Sequence, residues 1–193
     1  MPIPSSYEEY AHEFMRWREQ SEIGVSVVLQ WSRLLKPQSS VLDLGCGSGK
    51  PIATVLAQRG YTMYGIDTSS RLVEAYLRQV ANASAVCESI ESSRFYDRQF
   101  DAAIAIGLIF LLPEATQIQF IRRLASVVTI GGHLLFTAPT QVHTWKDVLT
   151  GADSLSLGRE SYLRIGADAG FELENEWVDQ GENHYFGFRR VTR

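Results

Sequence analysis

Cysteine is scarce in this chain: Cys46 and Cys87 are the only two among 193 residues. A chain this long builds a core without covalent staples, so a disulfide framework is excluded and a reducing, cytoplasmic setting is expected. Long hydrophobic runs are missing too. A membrane span needs about 18 consecutive apolar residues, and the longest run here, 102–113, reads as a buried strand and its exit loop. No basic stretch followed by an apolar one opens the chain, so no secretory leader is expected. Positive charge is in short supply: 18 Lys and Arg face 22 Asp and Glu, for a net charge of −4. That balance gives no general attraction to nucleic acid or to an anionic membrane. The four histidines and two cysteines show no close ligand spacing, and no metal site is expected. With 45% hydrophobic and 21% charged residues, the chain has the make-up of one globular domain rather than of a disordered segment.

Helix and strand signals alternate along the chain. After a non-helical start at 2–6, Ser5 or Ser6 is expected to cap a helix over 7–18, with Glu8 and Glu9 in the first turn, where the helix dipole favours acids. Tyr7, Tyr10, Phe14 and Trp17 share one face of that helix. A second helix over 23–35 stops before Pro37. Strands over 40–44, 61–66, 83–87, 100–106 and 133–137 then alternate with helices over 50–59, 68–80 and 114–128. Gly131-Gly132 is expected to break the last of these helices. The rhythm predicts a parallel sheet with helices on both faces. Residues 138–157 read as polar and irregular, 158–169 as helical, and 171–179 and 184–191 as two strands of a hairpin. The expected fold is therefore a doubly wound α/β domain. Its seven-stranded sheet is mostly parallel and ends in an antiparallel C-terminal hairpin. The domain divides into a helical N-terminal segment (1–36), a core (37–138), a loop–helix insertion (139–170) and the hairpin (171–193).

The sharpest motif is Val41-Leu42-Asp43-Leu44-Gly45-Cys46-Gly47-Ser48-Gly49. Its glycines let the backbone turn from strand into helix and approach a ligand closely. It is not the dinucleotide fingerprint G-x-G-x-x-G, because the third glycine would fall on Lys50, and it does not fit a phosphate-cradling P-loop. Asp43 at the strand end would repel a pyrophosphate and suit a cationic or amino-bearing ligand. The second motif, Tyr64-Gly65-Ile66-Asp67, puts a carboxylate at the end of the next strand, where it meets ribose hydroxyls at the carboxyl edge of such a sheet.

These two motifs, followed in order by Phe100-Asp101 at the fourth strand, resemble the class I S-adenosylmethionine-dependent methyltransferases over about residues 39–138. The resemblance implies that the Gly45, Cys46, Gly47 and Gly49 loop packs under the methionine and ribose of S-adenosylmethionine, with S-adenosylhomocysteine as product. Asp67 would hold the ribose hydroxyls, with Thr68 as a neighbouring contact. Glu88 would take the adenine amino group, Ser89 and Ile90 would flank the ring, and Gly107 and Leu108 would line the sulfonium side. The family most often carries Asp in an Asp-Ala setting at the adenine site, whereas this chain reads Cys87-Glu88-Ser89. The Asn-Pro-Pro-aromatic and Pro-Cys sequences of branches that methylate adenine, glutamine or cytosine are absent, which disfavours those acceptors.

Such a reaction runs largely on positioning, since near-attack geometry supplies about 7–11 kcal/mol of a barrier. A base is needed only when the nucleophile must lose a proton. The polar stretch holding His143, Trp145, Lys146 and Asp147 and the hairpin residue His184 are the places to seek one; the simpler readings are an exposed His143 and a His184 that completes a strand face. Tyr7 and Trp17 would touch the cofactor if the aromatic helix folds over it as a lid, and Arg16 or Arg18 would pair its carboxylate. The competing reading of that stripe is core packing. Cys46 reads as a small apolar filler, and Arg122-Arg123 as a solvated helix face. The expected activity is methyl transfer to an oxygen or nitrogen of a small molecule, by a monomer or homodimer without nucleic-acid or membrane partners. A protein or RNA methyltransferase with a partner subunit and a non-catalytic cofactor-binding module stand as alternatives.

Overall fold

The computed structural model describes residues 6–191. Seven strands form the main sheet: β1 (Ser40–Leu44), β2 (Thr62–Asp67), β3 (Ser84–Cys87), β4 (Phe100–Ala105), β5 (Val128–Thr137), β8 (Phe171–Val178) and β9 (His184–Arg190). Their order is β3-β2-β1-β4-β5-β9-β8. The pairs from β3 to β5 are parallel, while β9 runs antiparallel to both β5 and β8. The doubly wound sheet with its C-terminal hairpin is thus the fold expected from the alternation. β6 (Val142–Lys146) and β7 (Asp153–Leu157) make a separate antiparallel hairpin.

Period-two alternation divides the core. Leu42 and Leu44 of β1, Ala103 and Ala105 of β4, and Leu134 and Phe136 of β5 face one layer. That layer is covered by α6 (Glu114–Val127) and α7 (Arg159–Asp168). Val41, Ala102, Ile104 and Leu135 face the other, covered by α3 (Val25–Trp31), α4 (Ile52–Gln58) and α5 (Ser70–Gln79). Each fully buried large side chain contributes about 1.5–3 kcal/mol, so β1 and β4, apolar on both faces, sit centrally. The sheet order reverses between β1 and β4, and their carboxyl ends open a crevice at that switch point. Among the described residues, no helix is long and apolar enough to cross a membrane.

The structure corrects four local expectations. The first helix is two, α1 (Ser6–Glu9) and α2 (Ala11–Glu19), parted at Tyr10; Ser5 lies outside the described residues. The second helix starts only at Val25 and tightens to a 3₁₀ turn over Ser32–Leu34. Gly131-Gly132 does not break α6, which gives way to β5 already at Val128. Gly131, at φ +80°, lies in an irregularity where the β4–β5 register jumps from Phe100↔Val128 to Ala102↔His133. Residues 138–157, expected to be irregular, hold the β6–β7 hairpin. Its strands are short, and Val142 and the turn residue Val148 are exposed. The hairpin therefore lacks the one-sided hydrophobic alternation that marks a strand in sequence.

Candidate active site

A cavity of about 690 Å³ lies in the crevice at the carboxyl ends of β1, β2 and β4. Gly45, Cys46, Gly47 and Gly49 form its floor, and Asp43, Asp67, Thr68, Glu88, Ser89, Ile90, Gly107 and Leu108 all border it. The four sequence segments assigned to one site are therefore brought together, because each lies at or just beyond the end of β1, β2, β3 or β4 on the same sheet edge.

Asp67 organises this wall. Its Oδ2 accepts the Gly47 N–H at 2.9 Å and its Oδ1 the Ser69 N–H at 2.9 Å. A carboxylate has about four acceptor positions, so capacity remains for a ligand. Burial pushes the Asp67 pKa up, opposed by the backbone donors of Ser69, Gly47 and Thr68. Asp43 is deeper, 5% exposed, and accepts the Tyr76 hydroxyl at 3.2 Å. Burial pushes its pKa up to about 7, with the Tyr76 bond pulling down and the Asp67 charge adding to the rise. Cys46 is buried in the loop, and its thiol is held protonated by burial and by the Asp43 and Asp67 charges, which suits an apolar filler.

Gly47 adopts φ +53°, and a Cβ there would meet the Phe14 ring at 2.8 Å. The aromatic stripe is accordingly split by the break at Tyr10. Tyr7 and Phe14 border the cavity, whereas Tyr10 and Trp17 turn outward, Trp17 being 50% exposed. Trp17 is thus not a cavity contact. α1 and α2 are fastened on two sides. Glu8 accepts hydrogen bonds from the Ser69 and Ser70 hydroxyls and the Arg71 N–H at the start of α5, and the Ser69 bond leads in lowering its pKa. Across the cavity, the Tyr7 hydroxyl donates to Asp147 Oδ2 at 3.1 Å. Burial and the Asp147 and Asp67 charges raise the Tyr7 pKa, so this hydroxyl stays a donor.

Of the two arginines considered, Arg18 borders the cavity and Arg16 is exposed. Arg18 has no ion-pair partner within 4 Å among the described residues, and burial lowers its pKa against the pull of Tyr185 and Asp179. Neither histidine reaches the cavity. His143 is exposed and stacks on Trp145, while His184 places Nε2 at 2.8 Å from Glu176, which also binds Arg159. Both are held by these surface partners, away from the cavity.

Sequence reasoning missed Arg123. Instead of a solvated face, it presents its guanidinium to the carbonyls of Ile90, Glu91 and Ser93 and covers the Phe95 ring at 4.5 Å. It thereby holds the 88–95 loop, and with it Glu88 and Ser89, against α6.

Comparisons with known proteins agree with this architecture. A sequence family described as a methyltransferase domain matches residues 41–132. A human protein named probable tRNA methyltransferase 9B is 33% identical over 109 residues, covering 56% of this chain and 23% of that protein. The chain therefore spans less than a quarter of that relative's length. Methyltransferase GfsG of Streptomyces halstedii is 28% identical over 192 residues, covering 89% of this chain and 64% of its own. Among solved structures, the complex of the Haloferax volcanii Trm112 methyltransferase activator with a methyltransferase aligns at a TM-score of 0.80. That alignment has 12% identity and covers 98% of this chain and all of the other.

Proposed function

The chain belongs to the class I S-adenosylmethionine-dependent methyltransferases, and from that premise we propose that it methylates an oxygen or nitrogen nucleophile of a small molecule. S-adenosylmethionine is the cofactor; when bound, it supplies a sulfonium methyl that the nucleophile takes in line, the broken C–S pair staying on sulfur. The observation that carries the reading is Asp67 at the end of β2, tied to the Gly47 amide with acceptor capacity to spare over the same cavity that Glu88 and Gly107 border. The residues fit the cofactor part by part. Asp67 holds the ribose hydroxyls, Glu88 with Ser89 and Ile90 receives adenine, and the unpaired Arg18 meets the methionine carboxylate. Asp43, held partly protonated by burial, has most to gain from a cationic ligand. Residues 139–170 wall the acceptor side through Asp147 and Thr150, and Tyr7 and Phe14 close over the cofactor and exclude water.

Isothermal titration with S-adenosylmethionine and S-adenosylhomocysteine tests this. Asp67→Ala is expected to weaken both by ~1.5–3 kcal/mol, the range for hydrogen bonds to a charged group; unchanged affinity removes Asp67 as the ribose anchor. A second reading, methylation of RNA or protein with an activating partner, is favoured by the names of the human relative and the Haloferax complex. The net charge of −4 weighs against RNA.

A further inference from the structure

Six carboxylates and two cations border the cavity. Asp43, Asp67 and Glu88 belong to the cofactor wall. Glu91, Asp147 and Asp153 lie beyond it. The cations do not balance this second group: Lys50 pairs with Glu19 at 3.6 Å, and Arg18 neighbours Tyr185 and Asp179. Asp153 is paired with Lys146 at 2.7 Å. Asp147 has no cation within 4 Å among the described residues. Its Oδ1 accepts the Thr150 N–H and hydroxyl, at 2.8 and 2.7 Å, and among the described residues its Oδ2 accepts only Tyr7. One acceptor position on Oδ2 is therefore unused. The facing wall is apolar and aromatic: Phe110, Leu111, Leu112 and Pro113 border the same space, and Phe110 is backed by Trp145 at 5.2 Å.

Three properties thus meet beyond the cofactor wall: an uncompensated carboxylate with a free lone pair, an aromatic ring and an apolar lining. A cation on an apolar body satisfies all three, because it neutralises Asp147 and is attracted by the face of Phe110. A carboxylate or phosphate is repelled, and a neutral alcohol gains only the hydrogen bond. We propose that the acceptor is an amine on an aromatic or apolar body, held with its nitrogen on Asp147. This rests on the methyltransferase reading and narrows its nucleophile to nitrogen. The bound ammonium first gives one N–H proton to the Asp147 carboxylate, which frees the nitrogen lone pair; that pair then forms the N–CH₃ bond as the C–S bond breaks with its electrons left on sulfur.

The test uses three probes of one skeleton, phenethylamine, 2-phenylethanol and phenylacetate, titrated calorimetrically into the full chain saturated with S-adenosylhomocysteine. The expected order is amine, then alcohol, then acid, with at least about tenfold between amine and acid. Asp147→Asn keeps an oxygen for Thr150 and is expected to cost the amine about tenfold and erase the order. Tyr7→Phe, which frees Oδ2, is expected to keep it. Equal binding of the three, no binding of any, preference for the acid, or an order that survives Asp147→Asn overturns the proposal. Failure of S-adenosylhomocysteine itself to bind overturns the methyltransferase reading instead, so the two failures are told apart in one experiment.

Discussion

The two walls of the cavity are built on different terms. The cofactor wall hangs from the ends of buried parallel strands, and its main polar link runs from backbone amides to Asp67. The opposite wall, made of α1, α2 and the β6–β7 hairpin, is held by side-chain pairs near the surface: Glu8 to the start of α5 and Tyr7 to Asp147. A bond from backbone to a buried acid costs its desolvation when broken, whereas a partly exposed side-chain pair recovers some of that cost from water. The first wall is thereby costlier to open than the second.

The largest expected break in this contrast is Gly47→Val. The new side chain meets Phe14 and demands a backbone conformation that β-branched residues avoid. Binding of S-adenosylhomocysteine is expected to fall more than about 100-fold in a protein with unchanged far-UV circular dichroism, a loss of roughly 3 kcal/mol. Next comes Asp43. An acid whose pKa folding raises binds a proton that the unfolded chain, with a value near 3.8, has lost. The ligand-free protein therefore loses stability between about pH 4 and 7 on this group's account. Asp43→Asn is expected to raise unfolding stability at pH 8 by roughly 1–3 kcal/mol while weakening S-adenosylmethionine; urea titration and calorimetry read both, and a destabilised variant at pH 8 contradicts it.

Arg123→Ala probes the same wall from behind. Three carbonyls lose their donor, and cofactor affinity is expected to drop by about 1–2 kcal/mol with raised hydrogen exchange over 88–95. The smallest effect is assigned to the opposite wall. Glu8→Gln weakens charge-assisted bonds of a carboxylate that is one-third exposed and is expected to cost under about 1 kcal/mol of stability, yet to speed release of S-adenosylhomocysteine in stopped flow. An unfolding loss as large as that of Arg123→Ala would show that α1 is core rather than lid.

Much of the cofactor wall was legible because it is written locally. Leu42 and Leu44 alternate with Val41 and Asp43, a strand buried on both faces, and the glycines that follow admit the positive-φ turn that other residues avoid. Asp67 stands at a second strand end, and parallel register alone brings it to Gly47. The opposite wall was not legible for the converse reason. Nothing near Tyr7 in sequence announces Asp147, 140 residues away, and the hairpin whose turn carries Asp147 exposes Val142 on a short, two-stranded sheet. The aromatic spacing of Tyr7, Tyr10, Phe14 and Trp17 presumed one unbroken helix, and the turn at Tyr10 decided which rings face the cavity.

By itself, then, the order of residues determined the alternating layers, the glycine bend and the acid beside it, since each depends on hydrophobic period and backbone freedom within a few positions. Tertiary structure alone decided that Arg123 braces the 88–95 loop, that Arg18 rather than Arg16 borders the cavity, and that Tyr7 meets Asp147. Those pairings join distant segments, and only the packing of helices and hairpin around the sheet sets which side chains come within reach.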